Sequence, residues 1–153
     1  MYMKELEQLL QTKSEIPLAR KTLLNIFYTS MLFKDVLSNT LKPFDISVEQ
    51  FNVLRILRGQ HPNALNLQDI QERMISKMSN TTRLVDKLIL KTYVERFTCE
   101  KNRRKVEIFI TEEGLKLLSQ LDPIINKTEE DLINVLSHNE LETINNLINK
   151  LRS

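Results

Sequence analysis

The sequence predicts a mainly α-helical fold with one small β-hairpin, a winged helix-turn-helix unit set between helical segments at both ends. Three observations carry that prediction. Only two glycines and four prolines punctuate 153 residues, which favours long helices. Capping-box signatures begin at Ser47 and Ser137, each with a Gln or Glu three residues later. Between them, residues 93–99 and 105–111 are short β-rich runs joined by a polar tip at 100–104.

The elements follow in order. Residues 1–12 read as a short amphipathic helix through Leu6, Leu9 and Leu10. Pro17 suits the first turn of the next helix, where its missing amide proton costs nothing. That helix runs to about Leu41, with Leu18, Ile26, Phe27, Phe33, Leu37 and Leu41 forming much of an apolar stripe, and Pro43 ends it. The Ser47 box opens a helix carrying Phe51, Leu54 and Leu57 that closes at Gly59. After a turn over 60–65, Asn66 caps a short helix over 67–74. A second helix starts at Ser76 or Lys77 and runs to about Lys91, with Met78, Leu84, Val85 and Leu88 as its apolar positions. So brief a link makes a helix-turn-helix pair. Beyond the hairpin, Thr111 caps a helix that continues towards Leu136 and is kinked at Pro123. The last helix places Leu141, Ile144, Leu147, Ile148 and Leu151 on one side.

Charge is informative only locally. The whole chain is +2, yet residues 73–105 hold ten Lys/Arg against three acids, so that segment is +7 and the rest is −5. A concentrated positive face is what phosphate binding needs, since each neutralised phosphate releases condensed counterions. A helix fronted by small polar and basic side chains can enter a major groove, and a basic hairpin can lie on the backbone or enter the minor groove. Duplex DNA is therefore the expected partner. A solvated basic helix beside a lysine-rich hairpin is the plainer alternative on charge alone.

On the expected helix front, Arg83 can pair with guanine, Asn80 with adenine, and Thr82 can give a hydroxyl or methyl contact, with Ser79 beside them. Lys77 and Lys87 are placed for phosphates. In the wing, Lys101, Arg103, Arg104 and Lys105 are the candidate backbone and groove contacts. The competing reading makes Ser79 and Thr82 ordinary helix surface and the wing cations a solvated turn.

Other classes find little support. Cys99 is the only cysteine, so no internal disulfide or four-cysteine zinc site can form, and His61 and His138 have no metal-ligand spacing. Nucleotide-cradle, nucleophile-elbow and metalloprotease motifs are lacking. No enzyme and no cofactor is expected. No apolar run reaches the ~20 residues of a membrane span, and the N-terminus is too charged for a secretory signal, so a cytoplasmic location is expected. The terminal stripes are most economically buried in a homodimer, the alternative being packing within one chain.

The run Thr82-Arg83-Leu84-Val85-Asp86-Lys87-Leu88, then Tyr93-Val94-Glu95-Arg96, then Asn102 to Gly114 with Arg104, Thr111 and Gly114 at fixed spacing, resembles the MarR family of bacterial transcriptional regulators. The resemblance runs from Leu18 to the C-terminus and is strongest over 74–114. It implies a winged helix-turn-helix DNA-binding region over 47–111 and dimerisation helices over 1–42 and 112–153. The implied function is a homodimeric, sequence-specific regulator, a repressor by expectation, on a pseudo-palindromic operator. A small lipophilic or phenolic ligand is the implied modulator, and Phe27, Tyr28, Met31 and Phe33 border the implied effector cleft or belong to core and interface. Arg104 matches the wing arginine that enters the minor groove. Two residues depart from the pattern. Thr92 replaces a glycine, and a β-branched residue is costly at positive φ, so the helix is expected to end by another geometry. Asn102 replaces an aspartate and removes a charge from the wing. Cys99 lies on a wing strand, away from the first long helix where some relatives carry a sensing cysteine, and reads as a structural thiol. The functional alternative is a winged-helix module that binds another protein and no DNA.

Overall fold

The computed structural model describes residues 5–100 and 102–153, the side chains of Cys99, Arg103 and Arg104 excepted. In chain order the elements are α1 (Leu6–Leu9), α2 (Leu18–Leu41), a 3-10 turn (Lys42–Phe44), α3 (Val48–Arg58), α4 (Leu67–Arg73) and α5 (Thr81–Leu90). The hairpin strands β1 (Val94–Cys99) and β2 (Asn102–Ile110) follow, then α6 (Glu112–Ile133) and α7 (His138–Leu151). The fold is mostly helical with a two-stranded antiparallel wing, as the sequence predicts.

Local chemistry accounts for the helix starts. Ser47, Asn66 and Ser137 each complete a capping box, with Gln50, Asp69 and Glu140 as the reciprocal partners. Each box satisfies two of the amide protons that a helix N-terminus leaves unpaired. Thr111 caps α6 through the Gly114 N–H at 3.1 Å. Pro17 sits at the N-cap of α2, one residue before the expected first turn. Pro123 lies inside α6 without ending it.

The core is built where α3, α4, α5, β2 and the first half of α6 converge. Val53, Leu54 and Leu57 of α3, Ile70 of α4, Val85 and Leu88 of α5, Ile108 of β2, and Leu118, Leu121 and Ile125 of α6 are all buried, with Leu41 joining from the end of α2. Leu65 exchanges both backbone hydrogen bonds with Ile108, at 3.0 and 2.8 Å, which pins the base of the wing to the segment before α4. A bidentate pair, Arg58 Nη1 and Nη2 to Asp122 Oδ2 and Oδ1 at 2.7 and 3.0 Å, ties α3 to α6. The Arg58 guanidinium holds the Asp122 carboxyl below its usual range.

The two ends of the chain behave differently from this centre. α2 leaves Leu23, Phe27, Met31 and Leu32 exposed, and α7 buries none of its residues while exposing Ile144, Leu147 and Leu151. Long helices with apolar faces turned to solvent are unfinished as packing units.

Candidate nucleic-acid interface

α5 begins later than the sequence indicates. Residues 74–80 are non-helical, and the helix starts at Thr81 with Asn80 as its N-cap. The Asn80 Oδ1 accepts the Arg83 N–H at 3.0 Å. Ser76, Ser79 and Asn80 explain the delay, because short polar side chains offer the backbone alternatives to a helix and favour turns and caps. Ser79 N–H reaches Ser76 O at 3.2 Å in that turn.

The turn is clamped from two sides. Asn52 of α3 accepts the Ile75 N–H at 2.9 Å. Gln71 of α4 donates to the Lys77 carbonyl at 2.9 Å, while its own carbonyl oxygen receives the Thr81 hydroxyl. Thr81 is buried, so this bond replaces water for a hydroxyl inside the domain. Gln71, Asn52 and Thr81 were not among the expected site residues. The one signal available in the sequence was a polar residue at a helical position facing the core.

Thr82, Arg83 and Lys87 are exposed on α5 as expected, and neither Arg83 nor Lys87 has an ionic partner among the described residues. Asn80, Arg83 and Lys87, spaced three and four apart, line one open cleft of about 440 Å³ with Ser76, Met78, Ser79, Leu84 and Glu49. Glu49 is held by Lys34 of α2 at 2.7 Å, and that ammonium lowers its carboxyl pKa. It is thereby paired away from Arg83.

Four expectations on the helix front need correction. Lys77, Ser79 and Asn80 stand in the turn and at the cap, not on the helix. Lys77 is exposed there, its ammonium reaching the Glu72 carbonyl. The Ser79 hydroxyl is buried and finds no hydrogen-bond partner among the described residues, so it is not on an exposed reading front. Met78, expected to be apolar helix packing, is 95% exposed. Residues that precede the N-cap need not follow the helical period, and the apolar stripe of α5 rests on Val85 and Leu88 with Leu84 partly buried.

The wing also differs from expectation. Val94 pairs with Ile110, and the register continues to Thr98 with Val106 before an irregularity brings Cys99 opposite Asn102. β2 therefore starts at Asn102, and Arg103, Arg104 and Lys105 lie within the strand, where the sequence placed the first two in the tip. Lys105 is exposed, 3.9 Å from Glu107. Lys101 lies outside the described residues.

Besides Lys105, two described cations of the basic segment are paired with carboxylates. Arg96 Nη1 sits 2.7 Å from Asp86 Oδ1, and Lys91 Nζ sits 2.9 Å from Asp45 Oδ2. The helix end itself is a surprise. Thr92 adopts φ 66°, with its N–H on Ile89 O at 2.9 Å and the Tyr93 N–H on Leu88 O at 3.0 Å. That is the left-handed cap in which glycine normally stands, so the expected alternative ending does not occur.

A second cleft, about 560 Å³, lies between α2, α3 and α5. Lys42, Lys87 and Lys91 rim it, and Ile46, Leu84 and Leu90 contribute apolar surface. Among the described residues no cluster of His, Cys, Asp and Glu could hold a metal ion, and no helix is long and apolar enough to cross a membrane.

Comparison with known proteins bears on what this geometry is for. Residues 46–106, the stretch that contains α3, α4, α5, β1 and the clamped turn, match the family model described as MarR family. The crystal structure of a MarR transcription factor from Planctomyces limnophilus is 29% identical with a TM-score of 0.69, over 89% of this chain and 98% of that one. A mutant MarR from E. coli complexed with operator DNA is 23% identical with a TM-score of 0.75, over 97% and 99%. BpsR from Bordetella bronchiseptica, whose DNA binding is regulated by 6-hydroxynicotinic acid, is 20% identical with a TM-score of 0.75, over 84% and 96%. These last two share the fold.

Proposed function

We propose, from the match of residues 46–106 to the MarR family model, that this chain is a MarR-family transcription regulator, a homodimeric, sequence-specific repressor that reads a pseudo-palindromic operator in duplex DNA. The observation that carries the reading is the exposed, ionically unpartnered pair Arg83 and Lys87 on a helix whose entry turn is clamped by Gln71 and Asn52. A rigid helix with a free guanidinium at its front is suited to bidentate base contact in the major groove. In this reading 47–111 binds DNA, with Thr82, Asn80 and Arg83 towards bases and Lys77 and Lys87 towards phosphates. The wing cations Lys101, Arg103, Arg104 and Lys105 lie along the flanking backbone, Arg104 at the minor groove. Ser79 positions the turn and does not touch a base.

The segments 1–42 and 112–153 form the dimer. Support comes from Met31, 68% exposed on α2, and Leu147, 58% exposed on α7, which stand on faces that one chain leaves uncovered. Two copies would set their recognition helices one helical turn of DNA apart.

A small lipophilic or phenolic ligand modulates the spacing. The cleft at the joint between α2 and α5 supports this part, since Ile46, Leu84 and Leu90 give it an apolar surface and Lys42 stands on its rim, Lys91 being paired there with Asp45. A ligand there acts only by binding one arrangement of that joint better than the other.

Titration of the protein against its own upstream DNA at low salt tests the reading. Expected is saturable binding that Arg83→Ala weakens by about 1–3 kcal/mol at one base pair per half-site, whereas Lys105→Ala weakens all sequences alike and flattens the salt slope. No binding at low salt, or Arg83→Ala with unchanged affinity and specificity, removes it.

A further inference from the structure

Met78 stands out once the binding surface is drawn. It is 95% exposed, two residues ahead of the α5 cap, on the rim of the cleft it shares with Asn80, Arg83 and Lys87. A side chain so exposed contributes nothing to the core. Its backbone is not free, because the carbonyl of the preceding residue, Lys77, is held by Gln71 and the Ile75 N–H by Asn52. The thioether is thus projected from a fixed turn into the space in front of the helix. Of the other residues lining that cleft, Glu49, Ser76, Ser79, Asn80, Arg83 and Lys87 are polar or charged and Leu84 alone is apolar, which is not the broad apolar patch that marks a protein partner.

Resting on the DNA-binding reading above, we infer that Met78 is a specificity-determining residue that packs on the C5-methyl group of a thymine in the major groove. The recognition helix presents its N-terminal residues to base edges, so a residue leading that terminus enters the groove first. Among the base edges exposed there, the thymine methyl is the apolar group, and cytosine, its pyrimidine counterpart, lacks it. Methionine suits the contact because its unbranched, polarisable side chain adapts to an irregular surface. Arg83 and Lys87 supply the attraction to the backbone and to guanine, and Met78 supplies discrimination at an adjoining A·T pair.

The test starts from duplexes enriched by the full-length protein from a random pool, resynthesised with deoxyuridine replacing each thymine in turn. Uracil keeps every hydrogen-bonding edge and lacks only the methyl. Wild type is expected to lose about fourfold in affinity at one thymine per half-site, the equivalent of one buried methylene. Met78→Ala, which removes the contact from both half-sites, should bind the thymine duplex about sixteenfold more weakly, about fourfold for each contact, and show no further loss on uracil. Met78→Leu should restore the thymine preference. Sensitivity to uracil that persists in Met78→Ala, or indifference of the wild type to every replacement, overturns the inference while leaving DNA binding in place. If no duplex is enriched or bound at low salt, the DNA reading fails and the inference with it.

Discussion

Asp86, in the middle of α5, and Arg96, on the first wing strand, are joined by an ion pair of 2.7 Å. The pair fixes the angle between the helix that would read bases and the hairpin that would follow the backbone. It also means that Arg96, although counted in the basic segment, has its charge spent on the protein. Arg96→Ala should therefore lower DNA affinity through wing placement while leaving the slope of log affinity against log salt unchanged. Both side chains are partly exposed, so a double-mutant cycle with Asp86→Ala should give a coupling of about 0.2–1 kcal/mol in folding stability. A slope that falls by about one unit in Arg96→Ala would instead identify it as a phosphate contact.

Thr92 carries a backbone conformation, φ 66°, that costs an L-residue with a branched Cβ roughly 1–2 kcal/mol. It persists because two helix-terminal carbonyls, those of Leu88 and Ile89, are satisfied by the cap, and because the Thr92 carbonyl receives the Thr111 hydroxyl at 2.7 Å. Thr92→Gly should keep those backbone bonds and relieve the strain. Expected is a gain of about 1 kcal/mol, partly offset by glycine's greater unfolded freedom and by loss of the hydroxyl bond to the Lys91 carbonyl. Thermal unfolding at fixed protomer concentration checks it. A lower midpoint would mean that the threonine hydroxyl matters more than the torsion.

The same position shows where sequence reasoning reaches and where it stops. Helix starts were legible because Ser47, Asn66 and Ser137 carry their own hydrogen-bonding chemistry. The wing was legible from strand propensity, though its tip was drawn too long. Thr92 was misread because propensity ranks residues by local cost, while the cap is imposed by the wing strand that must begin at Val94. The front of α5 stands four or five residues later than the sequence suggests, for a related reason. Ser76, Ser79 and Asn80 favour a turn or cap as readily as helix surface, and Gln71 and Asn52, from other elements, hold the turn in place. Arg83 and Lys87 keep their places because both still fall within Thr81–Leu90, Arg83 in its first turn and Lys87 one turn further on.

Gly114 is the point at which α6 passes over the wing. A Cβ built there would stand 2.4 Å from the Tyr93 carbonyl oxygen and 2.7 Å from Ile110 Cγ1. The carbonyl cannot swing away freely, since it also accepts the Thr111 N–H at 3.1 Å. In an open helix, glycine to alanine gains up to about 1 kcal/mol. Here the clash is with backbone, and Gly114→Ala should destabilise by about 1–3 kcal/mol, the usual cost of forced overpacking. Denaturant unfolding would reveal this as a lower midpoint with an unchanged slope. A neutral or stabilised variant would show that α6 can slide outward at its first turn.

Arg58 and Asp122 give the stability a pH dependence whose sign is fixed by the direction of the shift. The Arg58 guanidinium lowers the Asp122 carboxyl pKa in the folded chain, so folding favours the ionised form. The contribution is fully present above the unfolded value, near 4, and is lost as pH falls through the depressed folded value. Glu49, lowered by Lys34, acts in the same direction. The Asp122 side chain is partly exposed, so screening limits the Arg58 pair to roughly 0.5–1 kcal/mol despite its bidentate geometry. Asp122→Asn should thus be less stable than wild type by that amount at pH 7, and the two should converge as the pH is taken well below 4. Urea midpoints across that range, at one protomer concentration, measure the difference. A gap that stays constant down to pH 2.5 would mean that the asparagine costs packing, and that the ion pair contributes nothing to holding α3 against α6.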